Sequence, residues 1–324
     1  MKHILVPFDF STCSSAALAV GLEWAHGYGA HLHVIHVEVI RGAVSPKPDV
    51  LEKHAATLKE QIEAVINEHS ERVGVAFRKS VSYSFSVIED VAACPPLLAY
   101  IHEHQIDQVI MGTHGHRGLR RAVLGSVAEE TVRFAPCPVL TVHADDLRHS
   151  FKEDIKRILV PLDFSASSSH ALQRGRELAG VFGAELTLLH VIEDILHPFY
   201  ITPEASSIYN FQPDLEARAR SGLEKLYAAT RGPEVPVNYR LIPGNPIQEI
   251  VLFAEKKYTD LIVIASHGLT GLDRALLGSV TERVVRMATC PVYTLKPKRS
   301  TKPEASQRLD MDLRGSGEAF SIAS

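Results

Sequence analysis

One spacing of glycine and serine in the chain suits phosphate chemistry: Gly112-x2-Gly115-x9-Gly125-Ser126. It follows the apolar run QVIMG (108–112), which reads as a buried strand. It precedes VAEETVRF, which reads as a helix. Gly115 lets a loop turn tightly and brings backbone N–H groups close to a ligand. Ser126-x-x-Glu129 has the form of a capping box, which marks a helix N-terminus. Such a terminus carries free N–H groups and the positive end of a dipole, and so attracts phosphate. Strand, glycine loop and helix together make a phosphate cradle. It is neither the GxxxxGK[ST] P-loop nor GxGxxG. Read singly, Ser126 is more readily a plain helix cap than a ligand contact. Asp9, at the end of the run ILVPF (4–8), is either a ligand contact or a cap for the helix that follows.

The same pattern is written twice. Residues 4–37 and 158–191 align at a constant offset of 154, with 19 identities in 34 positions. Residues 109–142 and 262–295 align at an offset of 153, with 18 identities in 34. Two copies of one domain follow, at 1–144 and 155–296, joined by a polar linker at 145–154. The tail 297–324 is polar, interrupted by Pro and Gly, and reads as mostly disordered. In the second copy Asp163, Val191, Ala265, Gly268, Gly278 and Ser279 stand where the first has Asp9, Val37, Gly112, Gly115, Gly125 and Ser126.

The elements that must position these residues alternate. In the first copy strands are predicted at 4–8, 31–37, 75–87, 108–112 and 138–142, with helices at 14–28, 49–72, 97–105 and 126–134. The second copy repeats the order, with an extra loop at about 193–212. Alternation of β and α predicts, for each copy, a five-stranded parallel sheet with helices on both faces, a Rossmann-like α/β domain. Ligands of such sheets bind outside the carboxyl ends of the strands, where strand order reverses. A reversal between the first and fourth strands gathers Asp9, Val37 and Gly112 into one crevice. The fifth strands, Pro138–Val142 and Pro291–Leu295, are apolar edges that need covering.

PFDFS at 7–11, HV at 36–37, GTHGHRGLRRAVLGS at 112–126 and CPVLTV at 137–142 resemble the universal stress protein family, in its ATP-binding branch. The resemblance covers both copies and implies two tandem adenine nucleotide α-hydrolase-like domains. It implies that Asp9 contacts the adenosine part and that the Val37 backbone reads the adenine edge. Gly112 would lie near the ribose, and Gly115, Gly125 and Ser126 would hold the phosphates. Pro7 and Val127, beside these motif residues, complete the candidate set. Asp163, Val191, Ala265, Gly268, Gly278 and Ser279 carry it into the second copy. In such proteins a divalent metal, Mg or Mn, often accompanies the triphosphate. Single-domain members dimerise through the fifth strand, so here that pairing would be intramolecular, and a further homodimer would use another surface.

The second copy departs at Ala265, where a methyl narrows the crevice. Residues 116–124 carry Arg117, Arg120 and Arg121, a charge of +3; residues 269–277 carry Asp273 and Arg274, which cancel. The first site therefore suits a polyphosphate better, although the arginines also read as a solvated rim.

Composition narrows the function. Lys plus Arg is 34 and Asp plus Glu 38, a net charge of −4, which offers no bulk attraction to nucleic acid or anionic membrane. No run of 18 apolar residues occurs. The start, MKHILVPFDF, lacks the apolar stretch of a signal peptide. Cys13, Cys94, Cys137 and Cys290 form no CxxC or short-spaced set, which favours a reducing, cytoplasmic setting. Of 17 histidines, 13 precede residue 150. His31 and His33 share one strand face and His36 takes the other, so no metal site is expected. His114 and His267 either flank phosphate or hold the loop. No Gly-x-Ser-x-Gly and no paired carboxylates suggest catalysis. The expectation is a non-enzymatic, ATP-binding stress-response regulator acting on an unidentified protein partner, with slow hydrolysis allowed by the cradle and metal. The rival readings are a nucleotide-independent scaffold for a transporter or kinase, and a weak ATPase.

Overall fold

The computed structural model describes residues 1–40, 48–73, 81–113, 124–144, 155–193, 215–267 and 277–296. The first half runs β1 (His3–Pro7), α1 (Thr12–Tyr28), β2 (His31–Val39), α2 (Pro48–Val73), β3 (Ser82–Asp90), α3 (Cys94–Glu103), β4 (Gln108–Gly112), α4 (Ser126–Phe134) and β5 (Val139–Val142). The second runs β6 (Arg157–Pro161), α5 (Ala166–Phe182), β7 (Glu185–Ile192), α6 (Leu215–Ala229), β8 (Val237–Pro243), α7 (Pro246–Lys256), β9 (Leu261–Ala265), α8 (Ser279–Met287) and β10 (Val292–Leu295).

Local chemistry sets the boundaries. Ser11 caps α1, its hydroxyl accepting from Ser14 N–H at 3.1 Å, and Gly29 ends the helix at φ 60. Ser165 and Gly183 do the same for α5. Helix α3 begins three residues before its predicted start. Pro95 and Pro96 occupy its first turn, where a missing N–H costs nothing. Strand β3 extends to Asp90 rather than ending at 87, because β2 offers a ladder partner as far as Val39. Val75 and Phe77, expected in that strand, lie outside the described residues, as do the predicted linker, the tail and most of the extra loop.

All ten strands form one sheet, in the order β3-β2-β1-β4-β5-β10-β9-β6-β7-β8. Within each half the strands are parallel, and β5 meets β10 antiparallel. Each half is thus a doubly wound α/β domain, and its strand order reverses between its first and fourth strands. One apolar layer packs α1, α2, α5 and α6 on the sheet; the other packs α3, α4, α7 and α8.

The seam pairs Val139 with Thr294, Leu140 with Tyr293, and Thr141 with Val292. Leu140 and Tyr293 are equivalent positions of the two copies, so the pseudo-twofold axis passes through their pair. On one face Trp24 stacks on Tyr293 at 5.9 Å, and the Arg174 guanidinium lies 5.4 Å from the same ring. The Tyr293 hydroxyl donates to Gln108 Oε1 at 2.5 Å and accepts from Arg174 Nε at 3.3 Å. On the other face Arg133 Nη2 lies 3.3 Å from both Glu129 and Glu282, and Arg286 Nη2 lies 3.0 Å from Glu129 and 3.5 Å from Glu282. Lys296 Nζ donates to the Arg133 carbonyl at the end of α4. The fifth strands thus cover each other.

Tyr293 and Gln108 are both fully buried, so their bond is a matter of satisfaction more than of net attraction. Tyr293→Phe is expected to destabilise the protein by about 1–3 kcal/mol in urea titrations, because Gln108 loses its donor. Adding Gln108→Leu, the residue type found at position 261 in the second half, is expected to recover most of that loss.

Candidate functional site

The crevice exists because the sheet splits. Strand β1 pairs with β2 as far as Pro7, but with β4 only at Ile4 and Leu5. β4 continues to Gly112 along β5, so a cleft opens between β1 and β4 at their carboxyl ends. In the second half β6 pairs with β9 only at Ile158 and Leu159, and the same cleft forms. Among the described residues, Pro7 ends β1 and Asp9 follows it, Val37 lies in β2, Gly112 ends β4, and Gly125, Ser126 and Val127 open α4. In the second half Asp163 follows β6, Val191 lies in β7, Ala265 ends β9, and Gly278 and Ser279 open α8. Gly115 and Gly268 lie outside the described residues, as do His114 and the charged positions at 117, 120, 121, 273 and 274.

Hydrogen-bond alternation places the Val37 backbone. In a parallel ladder one residue directs both its amide groups to the same neighbour. The Ile35 carbonyl accepts from Phe8 N–H at 2.8 Å, so Ile35 faces β1. Val37, two residues on, faces the same side at a height where β1 has ended. The Leu189 carbonyl accepts from Leu162 N–H at 2.8 Å, which puts Val191 in the equivalent place.

Asp9 is exposed and does not cap α1; Ser11 does. Asp9 Oδ1 instead accepts from Ser11 N–H at 3.1 Å and Ser11 Oγ at 2.6 Å, closing an Asx-type turn. Asp163 Oδ1 accepts from Ser165 N–H at 3.0 Å. Between aspartate and serine, Phe10 and Phe164 sit at φ 65 and φ 62, a strained setting for a bulky residue. Packing holds them there. The Phe10 ring lies 4.8 Å from His36, and the Phe164 ring 4.6 Å from His190. Each of those imidazoles donates from Nδ1 to the carbonyl one residue before the aspartate, His36 to Phe8 and His190 to Leu162, both at 2.8 Å. Burial lowers the His190 pKa. Sequence reading missed this Asp-Phe-Ser-with-His unit, although its four residue types recur at matching positions in the two halves.

The capping-box expectation is corrected. Gly125 is the N-cap of α4 and Ser126 its first helical residue, with no side-chain cap; Gly278 and Ser279 repeat this in α8. The carboxylates of Glu129 and Glu282 bind Arg133 and Arg286 at the seam, so neither turns back to close a box. Ser126 and Ser279 are exposed. The base of each loop is tied by one bond: Gly125 N–H to the Thr113 carbonyl, and Gly278 N–H to the Ser266 carbonyl, both 2.8 Å.

Gly112 has a packing role that sequence reading did not assign. A Cβ there would lie 2.7 Å from Cys13 Cβ and 2.8 Å from its carbonyl carbon. Absence of a side chain lets the first turn of α1 sit against β4. In the second half Ser167 stands in the place of Cys13, and Ala265 is buried, its carbonyl accepting from Thr281 Oγ1 at 2.7 Å. His267 is buried, with Nδ1 2.8 Å from the Ser266 hydroxyl. Cys137 and Cys290 are buried and in no disulfide, and burial pushes the Cys137 thiol up to about 12. Among the described residues no group of three His, Cys, Asp or Glu side chains could hold a metal, and no helix is long and apolar enough to cross a membrane.

Two doubly wound domains fused edge to edge, each with a glycine-led helix over its crevice, define a tandem α/β protein of the open-sheet type. The chain belongs to the universal stress protein family, whose profile matches residues 1–143 and 154–296. A universal stress protein of Mycobacterium tuberculosis is 28% identical over 298 residues, covering 90% of this chain and 96% of that protein. One from Methanocaldococcus jannaschii is 37% identical over 145 residues, covering 44% of this chain and 84% of that protein. Among solved structures, a putative universal stress protein from Pseudomonas aeruginosa UCBPP-PA14 superposes with a TM-score of 0.62 at 21% identity, covering 92% of this chain and 94% of that one. It shares the fold.

Gly112→Ala is expected to lower stability by about 1–3 kcal/mol through overpacking against α1. Cys13→Ala is expected not to rescue it, since the close contacts are with Cβ and main chain. Urea denaturation of the three variants checks both outcomes.

Proposed function

We propose that the protein is an ATP-binding regulator of the stress response, without a catalytic step of its own. The observation that carries this reading is the pair of helix N-termini over the crevices. Ser11, Ser165 and Asn245 cap α1, α5 and α7 with side chains; α3, α4 and α8 have no such cap, and of these α4 and α8 start at glycine. Their first-turn N–H groups fit the phosphates of a nucleotide entering from the glycine loop. The open backbone edge of Val37 fits adenine, and Asp9, which engages its turn through one oxygen, fits the ribose hydroxyls. Val191 and Asp163 supply the same groups in the second half. Mg or Mn would enter with the triphosphate, given the lack of a protein metal group among the described residues. Four buried cysteines, none in a disulfide, support a cytoplasmic setting. Occupancy would set the loop between Thr113 and Gly125, and so the surface offered to a regulatory partner.

The reading is tested by mass spectrometry of ligand released from freshly purified, denatured protein, and by calorimetry with ATP. Asp9→Ala and Gly115→Val are each expected to weaken ATP binding at the first site about tenfold or more, roughly 1.4 kcal/mol, with the fold intact. Unchanged affinity in both removes the site. Steady turnover of ATP would favour an enzyme, and no nucleotide binding at all would favour a scaffold. The first site is expected to bind more tightly than the second, because Ala265 replaces Gly112 and the loop charge falls from +3 to 0. Calorimetry of Asp9→Ala and Asp163→Ala chains, each leaving the other site intact, orders the two.

A further inference from the structure

At the amino ends of β1 and β2, away from the crevice, four imidazoles converge. His33 lies at the centre, 7% exposed. Its ring centroid is 5.3 Å from His3, 4.7 Å from His31 and 5.7 Å from His104, the residue that ends α3. His33 Nε2 lies 3.1 Å from His3 Nδ1, and His33 Nδ1 lies 2.9 Å from the Tyr100 hydroxyl on α3. His31 is held by Ser82 and Ser84 of β3, at 2.7 and 2.9 Å. Charged groups stand nearby, among them Asp107, Glu103 and the N-terminal amine beside Asp107. Asp107 accepts from the backbone N–H groups of Lys2 and His3 and feels the charge of His3, and burial, followed by Glu103, raises the pKa of Tyr100. Neither carboxylate is hydrogen-bonded to an imidazole of the cluster.

The His3–His33 contact holds a single shared proton, so it is lost when both rings are charged. One proton fits between His3 Nδ1 and His33 Nε2; with both nitrogens protonated, two N–H groups face each other. Charge on any ring is repelled by charge on the others. Burial, followed by repulsion from His31, His3 and His104, drives the His33 pKa down to about 4, and burial followed by repulsion from His3 lowers that of His31.

The second half is an internal control. At the positions of His3, His31, His33, Tyr100 and His104 it carries Arg157, Glu185, Thr187, Phe253 and Lys257. The same architecture forms there, so the fold does not require histidine at these places.

We propose that the His3–His31–His33–His104 cluster is an acid-released latch, which clamps β1 and β2 to α3 while neutral and loosens the first half, but not the second, on mild acidification. The sign follows from linkage. The unfolded chain binds a proton at His33 with the ordinary value of 6.5, and the folded chain only near 4. The latch therefore contributes fully above pH 6.5 and is lost as pH falls from there through 4. The inference is independent of nucleotide.

Trp24 is the single tryptophan, on α1 of the first half and packed on Tyr293 and Phe182 of the second, so its fluorescence reports loss of first-half packing together with loss of the seam. Urea titrations at pH 7.5 and 5.0 compare the full chain with a His33→Thr, Tyr100→Phe variant carrying the second half's pair. Between the two pH values, the unfolding constant of the parent is expected to rise about 30-fold more than that of the variant. Equal pH dependence would overturn the latch. Should the variant not fold, long-range nitrogen–proton NMR of the parent imidazoles decides. His33 staying neutral at pH 5 in folded protein supports the latch, and a midpoint near 6.5 sinks it.

Discussion

Everything above the level of a single domain depends on one antiparallel pairing, of β5 with β10. Both strands are four residues long and nearly all buried, and either alone would be an open edge of unpaired amides. Joined, they turn two five-stranded sheets into one of ten. Each face of the seam adds its own restraint. The Trp24–Tyr293–Arg174–Gln108 group is buried and directional. The Glu129, Arg133, Glu282 and Arg286 group is partly exposed and adds specificity more than energy. Because α4 and α8 carry the charged group, the helices that open on the two crevices are the ones fixed at the seam.

Each crevice arises from a shortage of pairing. Two residues of β1 meet β4, and the rest of the strand diverges. The turn that follows stores strain at Phe10, held by Phe8 and His36. Recurrence of this turn at Phe164 shows that the strain belongs to the architecture of the crevice rather than to one accident of sequence.

Much of this was legible in the residues. The repeat, the alternation of strands and helices and the need to cover the fifth strands all follow from pattern along the chain. What escaped depends on neighbours in space. Ser126-x-x-Glu129 has the letters of a capping box, but the arginines of the seam take its glutamate. Gly112 looks like a residue kept for a ligand, and the structure shows α1 pressed against it. His31 and His33 read correctly as sharing a face, yet nothing local announces that His3 and His104 complete the group. That requires the β1–β2 register and the return of α3.

The position of the pseudo-twofold axis has one more consequence. It passes through Leu140 and Tyr293, where a dimer of identical subunits would set each residue against its own image. A tyrosine there would meet a second tyrosine, and a buried Gln108 would have no complementary donor. Covalent fusion lifts that restriction. Once both halves travel in one chain, the residues on the axis no longer need to be self-compatible. One side can become the donor and the other the acceptor, so the two halves can diverge into a lock that neither could make with a copy of itself.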